Sequence, residues 1–409
     1  MAALLESVRA HLHGTDDTHR VTNLELFFDL VFVYAITNIT AVMEHDVGGT
    51  AVLEGMITLA LVWFGWAAYT WLGNQAKADE GLLRLAMIVA MAGMFFVAIS
   101  IPYAFRPDAN AGVVLALAYC VVRLTHLAVY FIAAGEDRQL RSVLLGMTAV
   151  ACVALTVLVA GALIGGAAQK WWWLVAVLID QGGVYFVRST RWRLNSASHF
   201  AERFGLIVLI AIGESVVSIG VGSATPQLTA RTALALIAGL AIAVGLWWLY
   251  FDVVALVAEE VLHRSAGVAR ARLARDSYTY IHLPMVAGIV FTAMGLVLLI
   301  GDPGHVDAGR YALYGGVALY LVAHLLFRLR NLGSINVGRA VVAVGLLLAL
   351  PAVGALPAMA QLAVPAVLLV GLVAFEVRAF RDARTAVRHR RPASEDVSDG
   401  AAAVGESPA

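Results

Sequence analysis

Several charged residues of this chain stand where apolar ones would be expected. Glu25 and Asp29 lie four apart, so a helix would carry both on one face. Asp29 is set among Phe27, Phe28, Leu30, Val31, Phe32 and Val33. Arg123 and His126 lie three apart in another apolar run, and Asp180 interrupts a third. Further along stand Glu202, Arg203 and Glu214, then Asp252, His282 and His324. Glu214 is flanked by Gly213, Ser215 and Ser218, about 18 Å from Glu202 at 1.5 Å rise per residue. A carboxylate in an apolar medium stays neutral, pairs with a cation or holds an ion or proton. Histidine is the side chain suited to passing protons near neutral pH. Together these residues point to the binding and relay of protons or small ions.

Each has a plainer role beside the functional one. Thr22-Asn23-Leu24-Glu25 fits a capping box, with Thr22 as N-cap and Glu25 at the third helical position. Asp252 and His282 fall at predicted helix ends, where an interfacial side chain is ordinary. Arg123 and Arg203 can snorkel or neutralise a carboxylate. His126 and His324 can serve as packed core histidines. Asp29 and Glu214 resist such accounts, because neither sits at a helix end. Gly161 and Gly165 read as helix-packing residues, and Trp171-Trp172-Trp173 as interfacial anchors.

The elements that must hold these groups follow from composition. Of 409 residues, 61% are hydrophobic and only 14% charged, against roughly 25% charged in soluble domains. Basic and acidic residues number 28 each, so no basic surplus exists for nucleic acid. Cys120 and Cys152 cannot make a disulfide framework or a cysteine zinc site. The composition is that of a polytopic all-α membrane protein whose partner is the lipid bilayer. A window of about 20 apolar residues predicts twelve spans, near 24–44, 51–72, 83–103, 111–134, 142–164, 171–188, 202–221, 231–254, 280–300, 310–328, 338–356 and 361–378. Spans 5 and 6 are expected to form a tight hairpin at Gly165-Gly166, and spans 11 and 12 another after Leu356-Pro357.

Charge tests the topology independently. With both termini and the even-numbered loops on one side, that side holds 23 of the 28 basic residues. Only Arg106, Lys170, Arg231 and Arg310 fall opposite, and Arg123 lies within a span. The positive-inside rule then makes both termini cytoplasmic. Residues 1–22 are expected to be a polar cytoplasmic segment with no cleavable signal, and 381–409 a disordered cytoplasmic tail. The arginines from Arg384 to Arg391 read as a stop-transfer flank, with contact to anionic lipid as the alternative.

The chain also looks doubled. Glu25-Leu26-Phe27-Phe28 is matched 177 residues on by Glu202-Arg203-Phe204-Gly205. Trp66 and Tyr69 in span 2 match Trp247 and Tyr250 in span 8, and Tyr119 and Arg123 match Tyr320 and His324. Six spans per half would make the halves parallel, residues 23–190 and 191–380.

Val21-Thr22-Asn23-Leu24-Glu25-Leu26-Phe27-Phe28-Asp29-Leu30-Val31-Phe32-Val33 resembles the opening signature of bacterial low temperature requirement A proteins. His199-Phe200-Ala201-Glu202-Arg203-Phe204-Gly205-Leu206-Ile207, continuing to Gly213-Glu214-Ser215, resembles a second signature, and Tyr278-Thr279-Tyr280-Ile281-His282-Leu283-Pro284-Met285 a third. The likeness spreads over about residues 18–380. It implies a bacterial inner-membrane protein and a growth phenotype in the cold, not a molecular activity. The chain is similar, more distantly, to potassium channels with two six-helix repeats whose first helices carry Phe-Ser-Asp. Phe27-Phe28-Asp29 would take that place, but Phe28 replaces the serine, and Arg203-Phe204-Gly205 in the second half has no aspartate. The analogy therefore reaches architecture rather than selectivity or gating.

The leading expectation is a transporter or channel for a small solute or ion, with proton coupling as one form. Asp29 and Glu214 would bind the ion or proton. Glu25, Glu202, Arg203 and Arg123 would form the supporting charge network, and His126 and His324 the relays. The alternative is a membrane-embedded enzyme for lipid or lipid-linked substrates, using His282, His324, Asp252 and Glu259-Glu260. No His-Glu-x-x-His run, phosphate-cradling loop or nucleophile elbow supports it, so no cofactor or metal is expected. A non-catalytic scaffold or sensor is a third reading. Association of the chain with itself stays open.

Overall fold

The computed structural model describes residues 20–75, 81–107, 109–134, 138–186, 194–222 and 229–388. Most of the polar N-terminal segment, and the tail beyond residue 388, lie outside the described residues. Among the described residues the structure is helical, with no strand.

All twelve expected spans coincide with helices. The described helices begin with α1 (Asn23–His45), α2 (Gly49–Gly73), α3 (Gly81–Ser100), α4 (Ala111–Ala133), α5 (Arg138–Ile164) and α6 (Gly166–Phe186). It continues with α7 (Ala197–Gly222), α8 (Ala230–Phe251), α9 (Val254–Arg264), α10 (Gly267–Leu273) and α11 (His282–Gly301). Last come α12 (Val306–Leu332), α13 (Val337–Val353), α14 (Ala358–Ala379) and α15 (Arg381–Arg388). Among the described residues, ten stretches are long and apolar enough to cross a membrane. Of the expected spans, α6 and α13 fall outside that set: α6 carries Gln169, Lys170, Asp180 and Gln181, and α13 has only 17 residues with Pro351 inside. The tail read as disordered from Arg381 opens instead with the helix α15.

Local chemistry sets the boundaries. The Thr22 capping box is formed, with the Thr22 hydroxyl accepting the Glu25 N–H and the Glu25 carboxylate accepting the Thr22 N–H. The α5–α6 hairpin turns on Gly165 and Gly166, whose φ values of +66° and +60° favour glycine. Trp171 and Trp172 are exposed as interfacial anchors would be. Trp173, expected beside them, is core, and its Nε1–H donates to the Leu158 carbonyl at 3.0 Å.

Between α10 and α11 the chain forms a seven-residue π-helix, Ala274–Tyr280, in which the Ile281 N–H reaches back five residues to the Asp276 carbonyl. Pro284 explains it. A proline ring collides with the carbonyl four residues earlier and offers it no N–H, here that of Tyr280. A widened turn relieves the clash.

Neighbours recur in order along the chain. In the first six helices α1 packs on α2 and α3, α3 on α4, α4 on α5, α5 on α6, and α6 returns to α2. Further on, α7 packs on α8 and α11, α11 on α12, α12 on α13, α13 on α14, and α14 returns to α8. The tightest pair is α11 with α12. A Cβ on Gly288 would meet the Tyr320 nitrogen at 2.6 Å, and one on Gly316 the Thr292 nitrogen at 2.6 Å. The two sets of helices join where α1 and α2 lie against α7 and α11, around one continuous apolar core.

Candidate functional site

At that junction the chain buries a charge cluster. Capping places Glu25 in the first turn of α1, and helical spacing puts Asp29 one turn above it. On α7, His199 and Arg203 have the same spacing of four. Glu25, Asp29, His199 and Arg203 are each 1% exposed or less. Arg203 Nη2 donates to Asp29 Oδ1 at 2.7 Å, and Nη1 lies 3.2 Å from Glu25 Oε1. His199 Nε2 sits 3.1 and 3.2 Å from the two Glu25 oxygens. From α2, Trp66 Nε1–H donates to Asp29 Oδ1 at 2.8 Å, and its ring stacks edge-on against Phe204. The other carboxylate oxygen, Asp29 Oδ2, is buried with no hydrogen-bond partner among the described residues. Two acids thus share one buried guanidinium, with His199 against one of them.

The contacts between α1 and α7 fix their relative direction. Glu25–His199 and Asp29–Arg203 are each 174 residues apart, and Thr37–Glu214 is 177 apart. A near-constant difference over more than three turns means that the helices run side by side in the same direction.

Glu214 belongs to a second station. Its Oε2 accepts from the Thr37 hydroxyl at 2.6 Å and its Oε1 from Ser218 at 3.0 Å. Glu44 stands seven residues beyond Thr37 on the same face of α1. Thr37 stands eight residues past Asp29, about 12 Å along the helix. Asp29 and Glu214, expected to act together, therefore occupy separate levels of one interface.

The remaining candidates fall elsewhere. Glu202 was expected in the charge network. Adjacency to Arg203 turns it about 100° round the helix, and it is exposed, with the Val21 N–H at 3.4 Å. Arg123 also lies apart from that network, bound to Asp180 at 2.6 Å. Arg123 and His126 line a cavity of about 500 Å³. His324 Nδ1 faces the Arg339 guanidinium at 3.0 Å. A guanidinium only donates, so this nitrogen accepts and His324 is a neutral imidazole. Arg339 is clamped by both oxygens of Glu376 at 2.8 Å.

Of the groups named for an enzyme, His282 and His324 both pack against the Tyr250 ring at 5.7 Å between centroids, while Asp252 and Glu260 are each taken up by an arginine. Asp252 pairs with Arg384 at 2.6 Å, and Glu260 pairs with Arg264 on the surface. His282 donates from Nδ1 to the Ser277 carbonyl at 3.0 Å and accepts from the Tyr250 hydroxyl at 2.9 Å.

Sequence reasoning missed His199, Trp66 and Glu44 as site residues. His199 had a signal in its spacing from Arg203, and Glu44 in its seven-residue step from Thr37. Nothing in the sequence singled out the indole of Trp66 as a partner of Asp29.

The model of the family described as bacterial low temperature requirement A protein (LtrA) matches residues 20–374. The chain belongs to this family. An uncharacterized protein of Rhizobium meliloti (strain 1021) is 28% identical over 321 residues, covering 75% of this chain and 76% of its own length. No solved structure matches the chain. All three motifs quoted above lie inside the matched range, and in this LtrA chain the first two supply the charge cluster. Val21 to Val33 brings Glu25 and Asp29, and His199 to Ile207 brings His199 and Arg203. The third motif holds the end of the π-helix and His282.

Proposed function

We propose that this LtrA protein is a bacterial inner-membrane transporter or channel for a small solute or ion, proton-coupled through the cluster between α1 and α7, and not an enzyme. The observation that carries the reading is the charge count. Glu25 and Asp29 face a single arginine in a site with no exposure, and one oxygen of Asp29 is unpartnered among the described residues. Glu25 also caps α1, but an unbalanced buried charge is strongly destabilising. One further proton, on His199 or Asp29, balances the cluster. A site that is balanced only when loaded suits coupling. Glu214, with Thr37 and Ser218, is the second station toward the opposite face.

Six-helix halves in a parallel repeat support the same reading, since transport sites gather where repeats meet. The recurring order of helix neighbours and the parallel course of α1 and α7 favour such a repeat. The distribution of basic residues favours cytoplasmic termini, which sets Glu25 near the cytoplasmic side.

The test is flux through purified protein in sealed liposomes, with potassium, sodium and proton gradients imposed in turn. Wild type is expected to dissipate a proton gradient, and Asp29→Asn to abolish the flux while the protein stays folded. Equal proton flux in that variant removes Asp29 from the mechanism, and no flux from folded wild type overturns the cation-coupled reading.

A further inference from the structure

The cavity beside Arg123 is not a packing remainder. Ala134, Leu144 and Met147 form a small apolar cluster of their own, separate from the main core. The cavity lies where α4 and α5 would otherwise close onto α2 and the π-helix. Its far wall is held by directed bonds. Trp63 and Trp71 donate their indole N–H groups to the Thr279 carbonyl and hydroxyl at 2.8 and 2.9 Å, and Tyr280 donates to the Gln181 carbonyl at 2.9 Å.

The lining has a definite chemistry. Phe64, Trp71, Tyr130 and Tyr280 supply aromatic faces, and Leu140, Val143, Leu144 and Met147 an aliphatic wall from α5. Arg123 and Arg275 are its charged groups, with His126 and the amides of Gln75, Gln181 and Asn195 beside them. Among the described residues no carboxylate lines it. The acids stand behind the arginines: Asp180 holds Arg123 at 2.6 Å, and Asp276 holds Arg275 at 2.8 Å and Arg330 at 3.0 Å. Each lining arginine thus has one carboxylate behind it, and Arg330, outside the lining, shares Asp276. Arg123 Nε has no partner among the described residues. His126 forms no well-aligned hydrogen bond there either, although the Ala68 carbonyl lies beside it.

Gln75, Leu140, Asn195 and Gly267 stand at or beside helix ends, so the cavity reaches the aqueous face at which those helices begin or stop. Its volume is that of an ordinary small-molecule site, roughly 300–1,000 Å³.

We propose that this cavity binds a water-soluble organic anion, a carboxylate with an aromatic or similarly apolar body, its charge directed to Arg123 and its body against the α5 wall. As the identity of the transported solute, this rests on the transport reading above; as a binding site it stands alone.

The experiment is equilibrium dialysis of the protein in nanodiscs of zwitterionic lipid, with radiolabelled 3-phenylpropionate, 3-phenylpropanamide and 3-phenylpropylamine. The acid is expected to bind at least about tenfold more tightly than the amide or the amine, as a charge-assisted contact implies. Met147→Trp, which fills the cavity, should abolish binding. The paired change Arg123→Gln with Asp180→Asn leaves no buried charge unpaired and should erase the preference for the acid. No binding of the acid, equal binding of all three, or unchanged binding by folded Met147→Trp overturns the proposal. Anionic lipid that displaces the acid from the wild type marks a lipid headgroup as the occupant and overturns the water-soluble form. Asp29-dependent proton flux without acid binding defeats this proposal alone. Acid binding without any flux defeats the transport reading alone.

Discussion

Arg203 Nη2 and Asp29 Oδ1 meet at 2.7 Å, neither side chain more than 1% exposed, across the junction of α1 and α7. The same guanidinium lies 3.2 Å from Glu25, so one cation serves two acids, and its removal should be felt twice.

Arg203→Gln leaves both carboxylates without their cation. Breaking a buried pair in this way costs about 3–5 kcal/mol. Thermal unfolding of purified protein should show a large drop, and adding Asp29→Asn to the same chain should recover part of it. A double variant no more stable than Arg203→Gln would mean that the two residues are not coupled.

Trp66→Phe keeps the ring but deletes the indole N–H bonded to Asp29. A hydrogen bond to a charged acceptor contributes about 1.5–3 kcal/mol, so a loss of that size is expected in the same measurement. Trp71→Phe loses a neutral bond to Thr279 and should cost about 1 kcal/mol.

The close approach of α11 and α12 makes a paired comparison. Gly316→Leu drives a side chain into the backbone at Thr292 and should destabilise by about 1–3 kcal/mol or more. Gly315→Leu, one residue earlier, meets nothing within 4 Å. It should be neutral or stabilising by up to about 1 kcal/mol through helix propensity. Equal melting temperatures for the two variants would refute the packing of these helices.

Ion pairs inside and outside the fold should separate in the same way. Glu376→Gln strips the clamp from Arg339, whose side chain is 7% exposed, and should cost about 3 kcal/mol. Glu260→Gln acts on a pair more than half exposed on both sides and should stay within about 0.5 kcal/mol.

The spans were legible because a bilayer demands about 20 apolar residues at a stretch, and each predicted span has its helix. Charged residues within them were legible for the same reason, so Asp29, Arg203, Arg123 and Asp180 stood out by type. Their pairing was not. Arg123 joins Asp180 rather than the cluster because α4 and α6 are neighbours, and neighbourhood is settled by the packing of all the helices. His199 was passed over because α7 begins at Ala197, five residues ahead of the predicted span. Glu202 was overvalued because adjacency to Arg203 in sequence means the opposite of adjacency on a helix.

The 174 residues between Asp29 and Arg203 also set an order of assembly. At about 5–20 residues per second, synthesis delivers the arginine roughly 10–35 s after the acids. Through that interval α1 carries two carboxylates without their cation, and its final seat does not exist until α7 arrives. The cluster closes late, so α1 is made well before α7 yet is among the last helices to be locked in place.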